Sequence, residues 1–252
     1  MTSEIAARAP YQGLVQIFNY NRPFYIRTLS GAIASIILSM WLPLAFRTLL
    51  LTATGAAIFW TCSSLLVSHY IYDRSGFYNL YWLEACLSRP PACRINIHSG
   101  IDETSLGIAA LFPGSDGQTV DIYDPGEMTE PSIERARGMA ATTGAAADWR
   151  ALPAPDQEFD AAFLIFAAHE LRRQEARVRL FREVARVLRV GGELVLVEHS
   201  RDWANFLAFG PGFLHFFSKR TWQNAALAAG LPLQLHRTLT PFIHIFVLRR
   251  EQ

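Results

Sequence analysis

Two histidine–carboxylate pairs hold most of the chemistry this chain can do. His169-Glu170 follows the apolar run FDAAFLIFAA, and Glu198-His199 follows ELVLV. An imidazole beside a carboxylate can take a proton from a bound molecule. His169 and Glu170 are the catalytic candidates, and His199 and His215 are candidates for a substrate pocket. Asp102, Glu103, Asp124 and Asp148 are acids able to accept hydrogen bonds from a ligand's hydroxyl or amino groups. His98, His215, His236 and His244 have no spacing that marks a metal site, so none is expected. Cys62, Cys86 and Cys93 are odd in number and match no CxxC pattern. A disulfide scaffold and a structural zinc are therefore not expected, and a reducing compartment fits.

These residues need elements to position them, and the second part of the chain supplies alternating ones. Arg94–His98, Thr119–Tyr123, Phe159–Ala167 and Glu193–Glu198 read as strands. Tyr78–Leu87, Thr104–Leu111, Glu130–Met139, Arg172–Leu188 and Lys219–Ala229 read as helices. Val178, Phe181, Val184, Ala185 and Leu188 line one face of the long helix, and Gly191-Gly192 stands where its C-terminus is expected. Leu231–Arg237 and Phe242–Arg249 read as a closing antiparallel pair. The pattern predicts a mostly parallel sheet covered on both faces, with ligands at the carboxyl ends of its strands. His98, His169 and His199 all fall at such ends.

The first part reads differently. Of 45 charged residues, seven lie in residues 1–74. The runs 28–46 and 48–69 hold no charge, and Arg47 separates them. Each is about the ~20 residues that span a bilayer, which predicts a two-helix transmembrane hairpin turning near Pro43. Arg8, Arg22 and Arg27 before it and Arg74 and Arg89 after it place both ends in the cytoplasm by the positive-inside bias. That implies a multi-pass protein of the cell's inner (plasma) membrane. Residues 1–27 read as an interfacial leader, and 75–252 as the catalytic domain. With 23 Lys+Arg against 22 Asp+Glu, the chain lacks the basic surface of a nucleic-acid binder. At 51% hydrophobic it is not disordered.

The pieces LPAPDQEFD (152–160) and RVLRVGG (186–192), with the strand that follows, resemble the second half of class I S-adenosylmethionine-dependent methyltransferases. Val190 stands where that family usually has proline. The resemblance implies a Rossmann-like α/β domain with a seven-stranded, mostly parallel sheet ending in an antiparallel hairpin. It also implies S-adenosyl-L-methionine as the cofactor. It implies ribose contacts at Asp124, beside Pro125, adenine contacts at Asp148 and Trp149, and further cofactor contacts at His98, Ser99, Gly100 and Phe166. Asp102 and Glu103 stand near the cofactor's amino group, where a helix-capping role is the alternative. The family's glycine-rich turn after the first strand is reduced here to Gly100. His169 is then the best-placed base, with Glu170 beside it.

Trp203, Phe206, Phe209, Phe213, Phe216 and Phe217 crowd the segment 201–222, which can cover an apolar acceptor or rest on a membrane. The segment VEHSRD is similar to part of the quinone C-methyltransferases. With the apolar hairpin, this implies methylation of a hydrophobic small molecule or lipid, such as a quinone- or phenol-like acceptor. Two alternatives stay open. The enzyme that makes rhodoquinone resembles the same fold, which implies amination of a quinone. The reduced glycine turn also allows a membrane-tethered, non-catalytic relative.

Overall fold

Strands buried on both faces carry continuous apolar runs, as residues 161–165 do within β4 (Phe159–Ile165) and 194–197 within β5 (Leu188–His199). The computed structural model describes residues 8–139 and 143–251. Around β4 and β5 lie β1 (Cys93–His98), β2 (Asp116–Asp121), β3 (Ala145–Ala146), β6 (Leu233–Thr240) and β7 (Ile243–Arg249). They form one seven-stranded sheet in the order β3-β2-β1-β4-β5-β7-β6. β1 to β5 pair in parallel, while β7 runs antiparallel between β5 and β6. The strand order reverses between β1 and β4, the place where such sheets bind ligands.

Alternation along each strand sends side chains to two cores. Ala162 and Leu164 of β4 pack with Ile95, Phe181, Val184 and Trp222 on one face. Ala161, Phe163 and Ile165 pack with Val195, Val197, Ile243, Phe77 and Leu83 on the other. The first core is closed by α6 (Gln174–Val187) and α8 (Lys219–Leu227), together with α5 (Pro131–Arg137). α4 (Ser105–Leu111) covers part of the second core through Ile108.

The N-terminal part forms three helices: α1 (Gln12–Tyr20), α2 (Arg22–Ser39) and α3 (Leu44–His69). α2 and α3 lie against each other around a turn at residues 40–43, with Pro43 as the N-cap of α3. α1 is anchored at its start by Asp73, whose carboxylate accepts the amides of Gly13 (2.6 Å) and Leu14 (3.0 Å). Its other contacts include α5 of the sheet domain.

Several expectations change here. The helices of the hairpin run 22–39 and 44–69, not 28–46 and 48–69. Among the described residues, only the helical run Leu44–Asn79 is long and apolar enough to cross a membrane. α2 starts at Arg22 and contains Arg27, which dilutes its apolar length. Within the expected leader, Gln12–Tyr20 form α1 and Arg22 already begins α2, while residues 1–7 lie outside the described residues. Residues 77–83 make two short 3-10 turns instead of a helix. β2 ends at Asp121 because its own carboxylate accepts the amide of Tyr123 (3.0 Å) and turns the chain. Asp124 therefore sits in the loop beyond the strand. Gly191-Gly192 belongs to β5, since α6 ends at Val187 and Leu188 already pairs with Phe159. β3, only two residues long, has no counterpart in the sequence reading.

The Phe-Asp at the start of β4 has a structural role. Asp160 accepts the amides of Ala92 (2.9 Å) and Cys93 (3.0 Å) and pairs with Arg189 (3.1 Å). Burial favours its neutral form, but the Cys93 amide and Arg189 outweigh this and hold its carboxyl below the usual range. Asp160→Asn is expected to cost roughly 1–3 kcal/mol in thermal denaturation at neutral pH, through lost charge-assisted hydrogen bonds. The contribution exists above the carboxyl's unfolded value and is lost as pH falls through its folded one. The gap between wild type and variant should therefore close in acid.

Candidate functional site

The carboxyl ends of β4 and β5 build the centre of the site. Glu198, 1% exposed at the end of β5, takes three hydrogen bonds from the turn after β4. Its Oε1 accepts the amides of Ala168 (3.0 Å) and His169 (3.2 Å), and its Oε2 holds His169 Nδ1 at 2.8 Å. His169 Nε2 lies 3.1 Å from Glu170 Oε1. Burial works against a charged His169, but the carboxylates of Glu198 and Glu170 outweigh it and raise the imidazolium well above its ordinary range. Burial also disfavours the Glu170 carboxylate, yet charged His169 keeps it ionised. His215 reaches this cluster from the 3-10 turn Gly210–His215, its ring 5.4 Å from that of His169. Burial, with repulsion from charged His169 and Arg172, pushes His215 down to about 4.

His199 is near this cluster but locked in the fold. Its Nδ1 meets the carbonyl of Phe242 (2.9 Å), which can only accept, so Nδ1 carries the proton. Its Nε2 then accepts from the Tyr72 hydroxyl (3.1 Å). Phe166 and Phe216 stack on the ring at 5.0 Å and 4.8 Å. Phe166 holds this position at φ 52°, a left-handed conformation that disfavours a bulky residue and marks strain at the end of β4.

These groups face a cavity of about 890 Å³ between the sheet domain and the N-terminal helices. Its polar end includes His169, Glu170, His199, His215 and Glu103, and its apolar end includes Phe24, Ala53, Ala57 and Trp60 of α2 and α3. The aromatic segment expected over an acceptor closes one side. α7 (Trp203–Phe209) packs on α3, with Phe206 against Trp60 at 5.6 Å. Gly210 (φ 54°) lets the chain pass Trp60, whose ring would lie 2.5 Å from an added Cβ.

Most of the expected cofactor contacts lie in the loops after β1, β2 and β3. Gly100 (φ 97°) makes the turn after β1, and an added Cβ would strike Arg137. Arg137 in turn pairs with the buried carboxylate of Asp121 (2.6 Å). Trp149 Nε1 and Arg150 Nη1 both donate to Asp124 Oδ2 at 3.0 Å, and Arg150 also meets Asp148 (3.3 Å). Asp124, Asp148 and Trp149 are thus brought together, with Pro125 beside them, and Arg150 is the link that sequence reading missed. The Trp149 indole comes first, ahead of Arg150, in holding the Asp124 carboxyl below its usual range. Carboxylates beside an indole suit a nucleoside-bearing cofactor, while Gly100 is covered by Arg137, which its ion pair with Asp121 holds in place.

Other candidates are engaged within the protein. His98 makes Nε2 and Nδ1 contacts with the Thr143 carbonyl (2.8 Å) and the Gly100 amide (3.3 Å), and Ser99 is buried beside it. Asp102 caps α4 through the amides of Thr104 (3.1 Å) and Ser105 (2.9 Å). Glu103 accepts from Tyr78 and pairs with Arg8 (3.5 Å). Tyr72 and Arg172 enter the site unannounced by any motif, because Tyr72 meets His199 and Arg172 meets His215 far away in sequence, while Glu198, marked beside His199, turns to His169 instead.

Comparisons with known proteins bear on the fold and on the sequence of its central segment. Residues 123–196 match the profile of a methyltransferase domain family. Demethylmenaquinone methyltransferase of Roseiflexus castenholzii is 32% identical over 126 residues, 49% of this chain and 50% of that protein. The chain thus matches about half the length of that relative. A SAM-dependent methyltransferase structure from Aquifex aeolicus has a TM-score of 0.51 at 15% identity, covering 71% of this chain and 94% of that one. The pyocyanin biosynthetic protein PhzM has a TM-score of 0.54 at 13% identity, covering 97% and 77%. The sheet domain has the class I methyltransferase fold. Residues 123–196 within it match the methyltransferase domain profile, and the solved structures that share this fold include S-adenosylmethionine-dependent methyltransferases.

His199 is expected to stay neutral, as its Nδ1–H tautomer, until the pH reaches about 4, where burial has pushed it. Ring-nitrogen NMR checks this. The folded value lies below the unfolded one, so His199 makes folding less favourable as pH falls between the two.

Proposed function

We propose that this chain is a membrane-bound S-adenosylmethionine-dependent methyltransferase acting on a lipophilic, hydroxyl-bearing acceptor. The observation that carries the reading is the cavity, with an apolar end between helices and a polar end at His169 and Glu170. Such a space suits a molecule with a hydrocarbon body and a polar head. The weak likeness to a quinone methyltransferase supports a quinol- or phenol-like head.

Exposed apolar side chains support the membrane. Leu44 and Leu49 of α3 expose 74% and 70%, and Leu29, Ile33, Met40 and Trp41 are also exposed. Trp203 and Leu207 of α7 extend this surface. α1 packs on α5 and is anchored by Asp73, so the N-terminal segment lies on the same side as the sheet domain. That supports α2 and α3 entering and leaving one face of the inner membrane, with both termini cytoplasmic. The acceptor then reaches the cavity between these helices without crossing water.

The bound cofactor supplies an electrophilic methyl group. Asp124, Pro125, Asp148 and Trp149 would hold its nucleoside part, with His98, Ser99, Gly100 and Phe166 beside the strand ends. The chain's own contribution is position and exclusion of water. Ionised Glu170 accepts the acceptor's hydroxyl proton or orients it, while His169, held by Glu198, fixes that carboxylate. His199 and His215 shape the wall around the head group.

Calorimetric titration of S-adenosylhomocysteine into the detergent-purified chain tests the cofactor site. Wild type should bind, and Asp124→Ala should bind roughly tenfold more weakly or worse, the cost of losing a hydrogen bond to a charged group. Equal binding by both would remove Asp124 from the site. Alkaline carbonate should leave the protein in the membrane pellet, whereas release without detergent would contradict insertion. Product mass should rise by one methyl group, and a methoxy-to-amino exchange would replace methyl transfer with amination.

A further inference from the structure

We propose that His169, Glu170 and His215 bind a divalent transition-metal ion at the polar end of the cavity. One ligand atom from each residue lies within 4.8 Å of the others. Two imidazoles and one carboxylate suit ions such as Zn²⁺, Fe²⁺ or Mn²⁺, and leave coordination positions for water or a substrate oxygen. The proposal rests on the cluster's geometry and stands whether or not methyl transfer is the reaction.

Three further observations point to a ligand here. Glu170 is 8% exposed, and its Oε2 is buried without a hydrogen-bond partner while the residue lines the cavity. A buried carboxylate oxygen with nothing to accept from is costly unless a cation or donor meets it. Glu198 holds His169 Nδ1 at 2.8 Å and leaves Nε2 toward Glu170. Metal-ligating histidines are oriented by such carboxylates, which fix the ring and raise its basicity. Arg172 Nη1 donates to the carbonyls of both His169 (3.1 Å) and His215 (2.8 Å). One guanidinium therefore ties together the two segments that bring the histidines, while Glu130 flanks His215 at 3.6 Å.

The exchange balances. The ion takes the place of the Nε2 proton between His169 and Glu170, and that proton goes to solvent. No electron transfer is involved. An ion there would take an oxygen of the cavity's occupant as a further ligand and favour its deprotonated form.

The test uses the full chain in detergent micelles, stripped with a chelator and titrated with Co²⁺ under visible absorption, with Zn²⁺ as competitor. One Co²⁺ per chain is expected, displaced by Zn²⁺. Glu170→Gln and His215→Asn should each weaken binding at least tenfold, and Glu198→Gln roughly 10–100-fold, as for other carboxylates behind a ligating histidine. His236→Ala alters the separate His236–His244 pair (3.0 Å) and should leave the affinity unchanged. Thermal melts identify any variant that fails to fold, and wild type and His236→Ala decide the matter by themselves if the others do. Absence of stoichiometric binding by folded wild type would overturn the site. So would unchanged affinity in folded Glu170→Gln and His215→Asn, or loss in His236→Ala.

Discussion

The buried carboxylate of Glu198 is the constraint around which the site is arranged. A charge at 1% exposure is tolerable only when its acceptor sites are filled. Here two backbone amides and one imidazole fill them. Those three donors all belong to the turn after β4, so satisfying one charge on β5 also folds the neighbouring loop. His169 is left aimed at Glu170, and Glu170 at the cavity. The central pair of strands and the polar end of the site are therefore one electrostatic unit.

The N-terminal helices complete what the sheet domain leaves open. Class I methyltransferase sheets present ligands at their strand ends, and here α2 and α3 stand over those ends and turn a cleft into a deep, half-apolar cavity. Aromatic contacts join the two parts: Tyr72 reaches His199, and Phe206 meets Trp60. The strained backbone of Phe166 persists because stacking on His199 and packing near Phe77 hold the ring in place.

Much of this was legible in the residues. Continuous apolar runs marked β4 and β5, because burial on both faces leaves no room for polar alternation. The amphipathic spacing of Val178, Phe181 and Val184 marked α6. Asp148 and Trp149 were marked by their place before the Leu-Pro and Phe-Asp pieces and Asp124 by its place after the second strand, and hydrogen bonds link the three. β3 was illegible because two alanines carry no period. The end of β2 was misjudged because the apolar Ile122 and Tyr123 continue the strand-like pattern after its pairing with β1 ends at Asp121.

By itself, the sequence determined the longer strands, the existence of the long apolar and amphipathic helices, and the place of His98, His169 and His199 at or just past strand ends, since these follow from periodicity and local burial. Only the tertiary structure decided which charges meet. His215 has no spacing relation to His169 and joins it through a loop held by Arg172. Arg150 links Asp124 to Asp148, and Glu198 faces His169 across neighbouring strands. Pairing of this kind depends on distance in space, and the chain's order along its length does not encode that distance locally.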